Sequence, residues 1–132
     1  RNDGNFRFME VTKEAGIDIT GVGYGGAAAD YDEDGDPDVF VGILGKSHLL
    51  RNNGNGTFTD VAAEAGVQGS ERDMSTACCW ADFDGDGHPD ILWHHQVTGE
   101  LFVWVLDGTV TTTGVHLTPS HFTDTRWQIM PR

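Results

Sequence analysis

The sequence predicts an all-β protein in which short antiparallel strands form repeated units. Runs of β-branched and aromatic residues alternate with turns rich in Asp, Asn and Gly, and 18 of the 132 residues are glycine. A stretch of about 50 residues also occurs twice, and each copy contains a closely similar acidic loop. Several short strands in a unit of this length are typical of β-propeller blades, so we expect propeller-type blades.

Four strands and a short helical turn account for the first complete repeat. We predict the strands at 25–29, 38–43, 48–52 and 57–61. The first strand consists of small residues, which suits close packing near a propeller axis. An Asn-Gly turn at Asn53-Gly54 or Asn55-Gly56 joins the third and fourth strands. A helical turn at 62–66 follows and ends at its glycine.

The second complete repeat has a different residue pattern after its acidic loop. We predict strands at 91–95, 101–106, 110–115 and 126–129. Thr98-Gly99 and Asp107-Gly108 provide turns between strands, and Pro119 and Pro131 fall at loop positions.

The repeats can be aligned residue by residue. Residues 1–11 align without gaps on 51–61, and the match continues from 14–17 to 64–67. The offset is 50 residues there and 52 residues at the acidic loops, which places a two-residue insertion within 68–74. We therefore divide a single module, residues 1–132, into the tail of a first repeat and two further repeats: 1–17, 18–67 and 68–132.

The acidic loops occupy 30–38 and 82–90 and share the pattern D-x-D-x-D-G-x-P-D. Carboxylates about 5 Å apart repel each other by roughly 3 kcal/mol per pair at an effective dielectric of about 20, so a cation is needed to offset the repulsion. A ligand set of hard oxygens without cysteine favours calcium over zinc or copper. Gly35 and Gly87 permit the sharp turn that would fold the ligands around one ion.

We expect two Ca²⁺ sites. The seventh position of each loop would contribute its backbone carbonyl, which explains why it is Asp36 in one loop and His88 in the other. Val41 and Trp93 stand where an EF-hand has its bidentate glutamate, so neither loop is an EF-hand. Two solvated acidic turns are the alternative. The predicted ligands are Asp30, Asp32, Asp34, Asp36, Asp38, Asp82, Asp84, Asp86, His88 and Asp90.

Composition argues against several functional classes. The net charge is −13, which disfavours nucleic acid or an anionic membrane as a partner. No apolar run is long enough to cross a bilayer, and no signal peptide precedes Arg1, so we expect no membrane insertion and a mature, processed or excised form. No G-x-S-x-G motif or comparable nucleophile pattern occurs, and we expect no catalytic activity.

Cys78 and Cys79 are adjacent, so in a strand their side chains face opposite sides and cannot readily bond to each other. We expect two small buried side chains that pack a strand. An interchain disulfide is the alternative.

Two further features point to carbohydrate. Trp93, Trp104 and Trp127 could stack on a glycan, although tryptophans that fill the space between blades are the alternative we favour. Asn55-Gly56-Thr57 is an N-glycosylation sequon on a predicted turn, and the same residues also make an ordinary hairpin turn.

The acidic loops and the segment between them resemble the FG-GAP/VCBS repeat family, the calcium-binding blades of integrin α-subunit propellers and of many secreted bacterial proteins. Residues 51–61 and 64–67 are similar to the linker between loops in one branch of that family, and residues 81–87 are similar to its calcium loop. Residues 90–129 resemble a second bacterial variant of the repeat. The resemblance implies calcium ligation by the loop aspartates and an extracellular location.

The chain supplies fewer blades than a closed propeller requires. Closure needs at least about four blades, and 132 residues with a period near 50 provide about two and a half. A fragment of a longer chain, a closed ring of several chains and an open assembly are the competing explanations. Unpaired strand edges predict self-association through the terminal strands, into a ring or a fibre.

These observations predict a calcium-binding, extracellular structural or adhesive module that is not an enzyme. We expect self-association, and a protein or a glycan as a further ligand. A lectin-like glycan-binding propeller is one alternative. The non-catalytic propeller part of a secreted polysaccharide-active enzyme is the other.

Overall fold

The computed structural model describes residues 1–117, which form two antiparallel four-stranded sheets with the orders β1-β2-β3-β4 and β5-β6-β7-β8. The all-β class and the propeller-type blades predicted from the sequence are confirmed. No helix in this range is long and apolar enough to span a bilayer. The elements are β1 (Gly23–Ala29), β2 (Asp38–Ile43), β3 (His48–Asn52), β4 (Phe58–Asp60), α1 (Ala62–Ala65), β5 (Ser75–Ala81), β6 (Asp90–His95), β7 (Leu101–Asp107) and β8 (Val110–Leu117).

Each sheet is a meander in which every strand pairs with the next one along the chain. β1 pairs with β2 across the first acidic loop, beginning with Ala29 opposite Asp38. β5 pairs with β6 across the second loop, beginning with Ala81 opposite Asp90. The two acidic loops therefore occupy equivalent turns, between the first and second strands of their sheets.

Residues 1–17 repeat the backbone geometry of residues 51–67. Asn2 pairs with Phe8 in an antiparallel bridge, as Asn52 pairs with Phe58 at the same positions of the next repeat. The helical turn that follows is also reproduced, since Ala15 donates its amide to Val11 at 2.8 Å and α1 contains the same bond one repeat later. The sequence repeat is thus a structural repeat.

The interblade core lies between the two sheets. Trp80 connects them, because its indole nitrogen donates to the carbonyl of Ala27 at 3.1 Å and its ring stacks on Tyr31 with 6.2 Å between centroids. Burial of large apolar side chains from both sheets supplies the main stabilising contribution. The buried members of this core are Tyr31, Phe40, Leu49, Val61, Ala62, Ala65, Val67, Ile91, Trp93 and Leu106.

The two sheets approach most closely near their first strands, where β1 and β2 lie against β5. A Cβ atom on Gly42 would stand 2.7 Å from the carbonyl oxygen of Ser75 and 2.9 Å from its Cβ, so the backbones fit only with glycine here. The insertion within 68–74 packs on the β2–β3 turn, and the amide of Gly45 donates to the carbonyl of Asp73 at 2.9 Å.

The two cysteines carry free thiols. Cys78 is half-buried, whereas Cys79 is exposed. The expectation that both are buried is wrong for Cys79, because successive side chains of the edge strand β5 face opposite sides. The strand predicted at 126–129 lies outside the described residues.

Candidate metal centres in the acidic loops

Each acidic loop brings three carboxylates to one point. In the first loop, ligand atoms of Asp30, Asp32 and Asp38 all lie within 4.8 Å of one another. In the second loop, ligand atoms of the equivalent residues Asp82, Asp84 and Asp90 also lie within 4.8 Å of one another. These are the first, third and ninth positions of the repeated pattern, and we call the two groups the first and second carboxylate triads.

Left-handed backbone at two positions bends each loop. The sixth position is glycine in both loops, with φ of 95° at Gly35 and 97° at Gly87, as the sequence predicts. The fourth position also has positive φ, at 59° in Glu33 and 83° in Gly85. Both loops therefore follow one backbone path, and Glu33 adopts a conformation that is unfavourable for a residue with a Cβ.

Asp38 is fully buried and fixes the first loop from inside. Its Oδ1 accepts a hydrogen bond from the amide of Asn52 at 2.7 Å, and its Oδ2 accepts one from the amide of Tyr31 at 3.2 Å. Burial raises the pKa of the Asp38 carboxyl, and these two hydrogen bonds act in the opposite direction. The ninth position thus joins the loop to the end of β3.

Asp90 makes the same contacts in the second loop. It is also fully buried, and its carboxylate accepts hydrogen bonds from the amides of Leu106 at 2.9 Å and Phe83 at 2.6 Å. The recurrence of this arrangement shows that the ninth aspartate is an internal link of the blade as well as a member of a triad.

The first carboxylate triad has oxygens available for an ion. The Oδ1 atoms of Asp30 and Asp32 are buried and have no hydrogen-bond partner among residues 1–117. A buried carboxylate oxygen without a donor is costly, and a cation between these two atoms would supply the missing interaction. Hard carboxylate oxygens are the ligands that calcium prefers, so the residues present fit a calcium ion.

The second carboxylate triad is more open to solvent. Asp82 and Asp84 are exposed, whereas their counterparts in the first loop are half-buried. The two oxygens of Asp82 accept hydrogen bonds from the amides of Gly85 at 2.7 Å and Gly87 at 3.2 Å. A cation at this loop would therefore share Asp82 with backbone donors.

The two loops approach each other at one point. Nδ1 of His88, in the second loop, lies 3.3 Å from Oε1 of Glu33, the exposed fourth residue of the first loop. Among residues 1–117, no further blade follows the second loop.

The fifth position lies outside both triads. Asp34 is exposed and accepts a hydrogen bond from the amide of Asp36 at 2.9 Å. Asp86 lies instead with His88 and Asp107, again with ligand atoms within 4.8 Å of one another. The sequence did not predict that Asp107 lies beside these residues. Its Asp-Gly pair is typical of a hairpin turn, and Asp107 is not part of either acidic loop. The carbonyl groups of the seventh positions stay predicted ligands.

The tryptophans predicted as glycan contacts differ in their positions. Trp93 is only 4% exposed, and its ring centroid lies 4.6 Å from that of Phe102 and 4.9 Å from that of Trp104. A ring enclosed in this way offers no face to a sugar, so the packing interpretation, which the sequence favoured over a glycan contact, fits Trp93. Trp104 is half-buried beside the same core. Trp127 lies outside the described residues.

Asn55 stands on an exposed turn, as the sequence predicts. Its side-chain oxygen accepts hydrogen bonds from the amide of Thr57 at 3.0 Å and from the Thr57 hydroxyl at 2.6 Å. Glycosylation at this position stays a prediction.

Comparison with known proteins agrees with this geometry. Residues 30–93, which run from the first loop to just beyond the second, match the FG-GAP-like repeat family. The chain is also 33% identical over 91 residues to cartilage acidic protein 1 of Mus musculus, an alignment that covers 68% of this chain and 14% of that protein. The chain therefore spans a small part of the length of this relative. With the paired blades and the two acidic loops, the family match identifies residues 30–93 as a member of the FG-GAP-like repeat family.

Proposed function

We propose that this chain is a calcium-binding, non-catalytic repeat module with a structural or adhesive function outside the cell. One calcium ion would bind at each carboxylate triad. The observation that carries this proposal is the pair of buried, unpartnered oxygens on Asp30 and Asp32, which face a third carboxylate from Asp38.

The role of the ion is mechanical. In each loop the triad begins directly after the first strand and ends with the first residue of the second strand, and this ninth aspartate also binds the third strand. An ion at the triad would therefore fix three strands of a blade relative to one another. At a free calcium concentration of 100 times the dissociation constant, one site stabilises the folded state by about 2.7 kcal/mol.

The family match and the similarity to cartilage acidic protein 1 support the extracellular setting. Calcium is abundant there, and extracellular modules bind it with dissociation constants of about 10⁻⁴ to 10⁻³ M. A triad as open as the second one fits an affinity in this range.

Self-association through the terminal strands is part of the proposal. Among residues 1–117, β8 is the outer edge of the second sheet, and Val110 and Val115 on this strand are 51% and 42% exposed. An uncovered strand edge with apolar side chains favours pairing with another chain, and repeated pairing would give a ring or a fibre. The lectin-like alternative is weaker, because burial of Trp93 removes its principal contact.

Isothermal titration with calcium tests the metal sites. The wild-type chain should bind two ions, whereas Asp32→Ala and Asp84→Ala should each bind one. Asp18→Ala removes an exposed acidic residue outside both loops and should leave two. A wild-type chain that binds no calcium at millimolar concentration would contradict the proposal.

A further inference from the structure

The two carboxylate triads differ in what their oxygens contact inside the loop. In the first triad, the Oδ1 atoms of Asp30 and Asp32 are buried and accept no hydrogen bond among residues 1–117. A buried carboxylate oxygen without a donor raises the free energy of the loop, because it has lost its hydration and gained no partner. A calcium ion at this triad would supply that partner without displacing a donor from either atom.

In the second triad, amides of the loop itself already bind the equivalent oxygens. Oδ1 of Asp82 accepts a hydrogen bond from the amide of Gly85 at 2.7 Å. Oδ1 of Asp84 accepts one from the amide of Asp86 at 3.1 Å. A calcium ion at this triad would share these oxygens with two amide donors, so it would gain less on binding. Both donors belong to the same loop as their acceptors, so this difference is a property of the loop and not of its neighbours.

The fourth loop position accounts for one of these donors. It is Glu33 in the first loop and Gly85 in the second, and both residues have positive φ. The amide of Gly85 donates into its triad, whereas the amide of Glu33 does not donate to Oδ1 of Asp30. Gly85 also gives the second loop a glycine in addition to the one at the sixth position. A segment with more glycine loses more conformational freedom when an ion fixes it.

Charge favours the first loop as well. The first loop contains six carboxylates, and the second contains four. The two additional carboxylates are those of Glu33 and Asp36, which stand where the second loop has Gly85 and His88. The affinity of a calcium loop depends on the number of its charges and on its rigidity. The free oxygens, the glycine content and the charge therefore all favour tighter binding at the first loop.

We propose that calcium binds the two loops unequally, with the first loop occupied at the lower concentration, and that the residue at the fourth position sets this order. The inference rests on the calcium binding of the proposed function and adds a difference between its two sites. The dissociation constant of the second loop should be about fivefold higher than that of the first. At calcium concentrations between the two constants, an ion would fix the first blade, whereas the second blade would depend on the link from Asp90 to the amide of Leu106.

An NMR titration of the wild-type chain with calcium chloride measures the order directly. The amides of Gly35 and Gly87 are equivalent reporters, since each donates to the first aspartate of its loop, at 3.0 Å and 3.2 Å. The Gly35 signal should reach its midpoint at about one-fifth of the calcium concentration that the Gly87 signal requires. Isothermal titration of the single-site variants is the second measurement. Asp84→Ala, which keeps the first loop, should bind its ion about fivefold more tightly than Asp32→Ala.

Substitutions at the fourth position test what sets the order. Gly85→Asp adds a carboxylate, and Gly85→Asn is the matched control without the charge. Both side chains tolerate left-handed backbone, and a Cβ at this position meets no atom within 4 Å. The second loop of Gly85→Asp should bind calcium about threefold more tightly than that of Gly85→Asn. In the first loop, Glu33→Gln should weaken binding by about threefold.

Three results would overturn the inference. They are equal midpoints for the Gly35 and Gly87 signals, a lower midpoint for Gly87, and equal calcium affinities of Gly85→Asp and Gly85→Asn at the second loop. In each case both loops would still bind calcium, so the proposed function would stand. A wild-type chain in which neither amide signal shifts at millimolar calcium would refute calcium binding itself and the order with it, so the two failures are distinguishable.

Discussion

Asp38 accepts a hydrogen bond from the backbone amide of Asn52 at 2.7 Å, which joins the first acidic loop to the end of the third strand. The second blade repeats this link, with Asp90 and the amide of Leu106 at 2.9 Å. Both aspartates are fully buried. The ninth position of the loop therefore has two roles, as a member of a carboxylate triad and as a link that does not depend on calcium.

Asp38→Ala should destabilise the fold even without calcium. It leaves the buried amide of Tyr31 and the part-buried amide of Asn52 without an acceptor, at a cost of about 3 kcal/mol. Urea denaturation in excess chelator measures the change. Asp34→Ala, an exposed loop aspartate outside the triad, is the control and should change stability by less than about 0.5 kcal/mol. Equal denaturation midpoints for the two variants would show that the link contributes little.

Removal of calcium should lower the melting temperature strongly. Two sites, each stabilised by about 2.7 kcal/mol, correspond to about 15–25 °C for a chain of this size. Differential scanning calorimetry in calcium and in chelator measures the shift. In Asp84→Ala, the shift in melting temperature between the two buffers should be about half as large. Magnesium in place of calcium should raise the melting temperature of the wild type only slightly, because magnesium fits flexible carboxylate loops less well. A wild-type melt that is the same in both buffers would count against a structural role for the ion.

Gly42→Ala should destabilise the contact between the blades. The added Cβ would meet the carbonyl oxygen of Ser75 at 2.7 Å, and the overlap should cost about 1–3 kcal/mol. Gly23→Ala is the matched control, because a Cβ there meets no atom within 4 Å. Chemical denaturation compares the two variants. The interblade contact would not be tight at this point if both had the same midpoint.

The two thiols should differ in reactivity. Cys79 is exposed and should be alkylated first, whereas burial raises the pKa of the Cys78 thiol and reduces its thiolate fraction. Mass spectrometry of peptides after iodoacetamide treatment measures the alkylation rate of each cysteine. Cys79→Ser should leave one thiol, that of Cys78, which reacts slowly. Equal rates at the two positions in the folded protein would refute this.

The raised pKa of the Cys78 thiol should also make the stability of the fold depend on pH. As pH rises through the ordinary thiol range, the unfolded chain loses the Cys78 proton while the folded chain retains it. The folded state then binds more protons than the unfolded state, so stability should fall with rising pH in this window. Cys78→Ser should reduce this dependence in denaturation experiments above pH 8.

Local sequence signals predicted most of the strands. The predicted ranges 38–43 and 48–52 coincide with β2 and β3, because an acidic loop or a glycine-containing turn marks their ends. The position of the triads was predictable for a similar reason. Two positive-φ positions in a short acidic loop fold its first, third and ninth residues onto one point.

Other features depend on contacts between distant segments. The acceptor role of Asp38 toward Asn52 has no sequence signal, because the donor is a backbone amide 14 residues away. Trp93 became a core residue because the neighbouring blade covers it, and Cys79 stayed exposed because it faces away from that blade. Which face of a strand is covered is decided by the packing of sheets, and the residue pattern alone does not specify it.

A crystal structure of the chain grown in calcium tests the central claim most directly. The account predicts two calcium ions with anomalous signal, one among Asp30, Asp32 and Asp38 and one at the equivalent triad of the second loop. Loops of the same backbone conformation with no ion at either triad would contradict it.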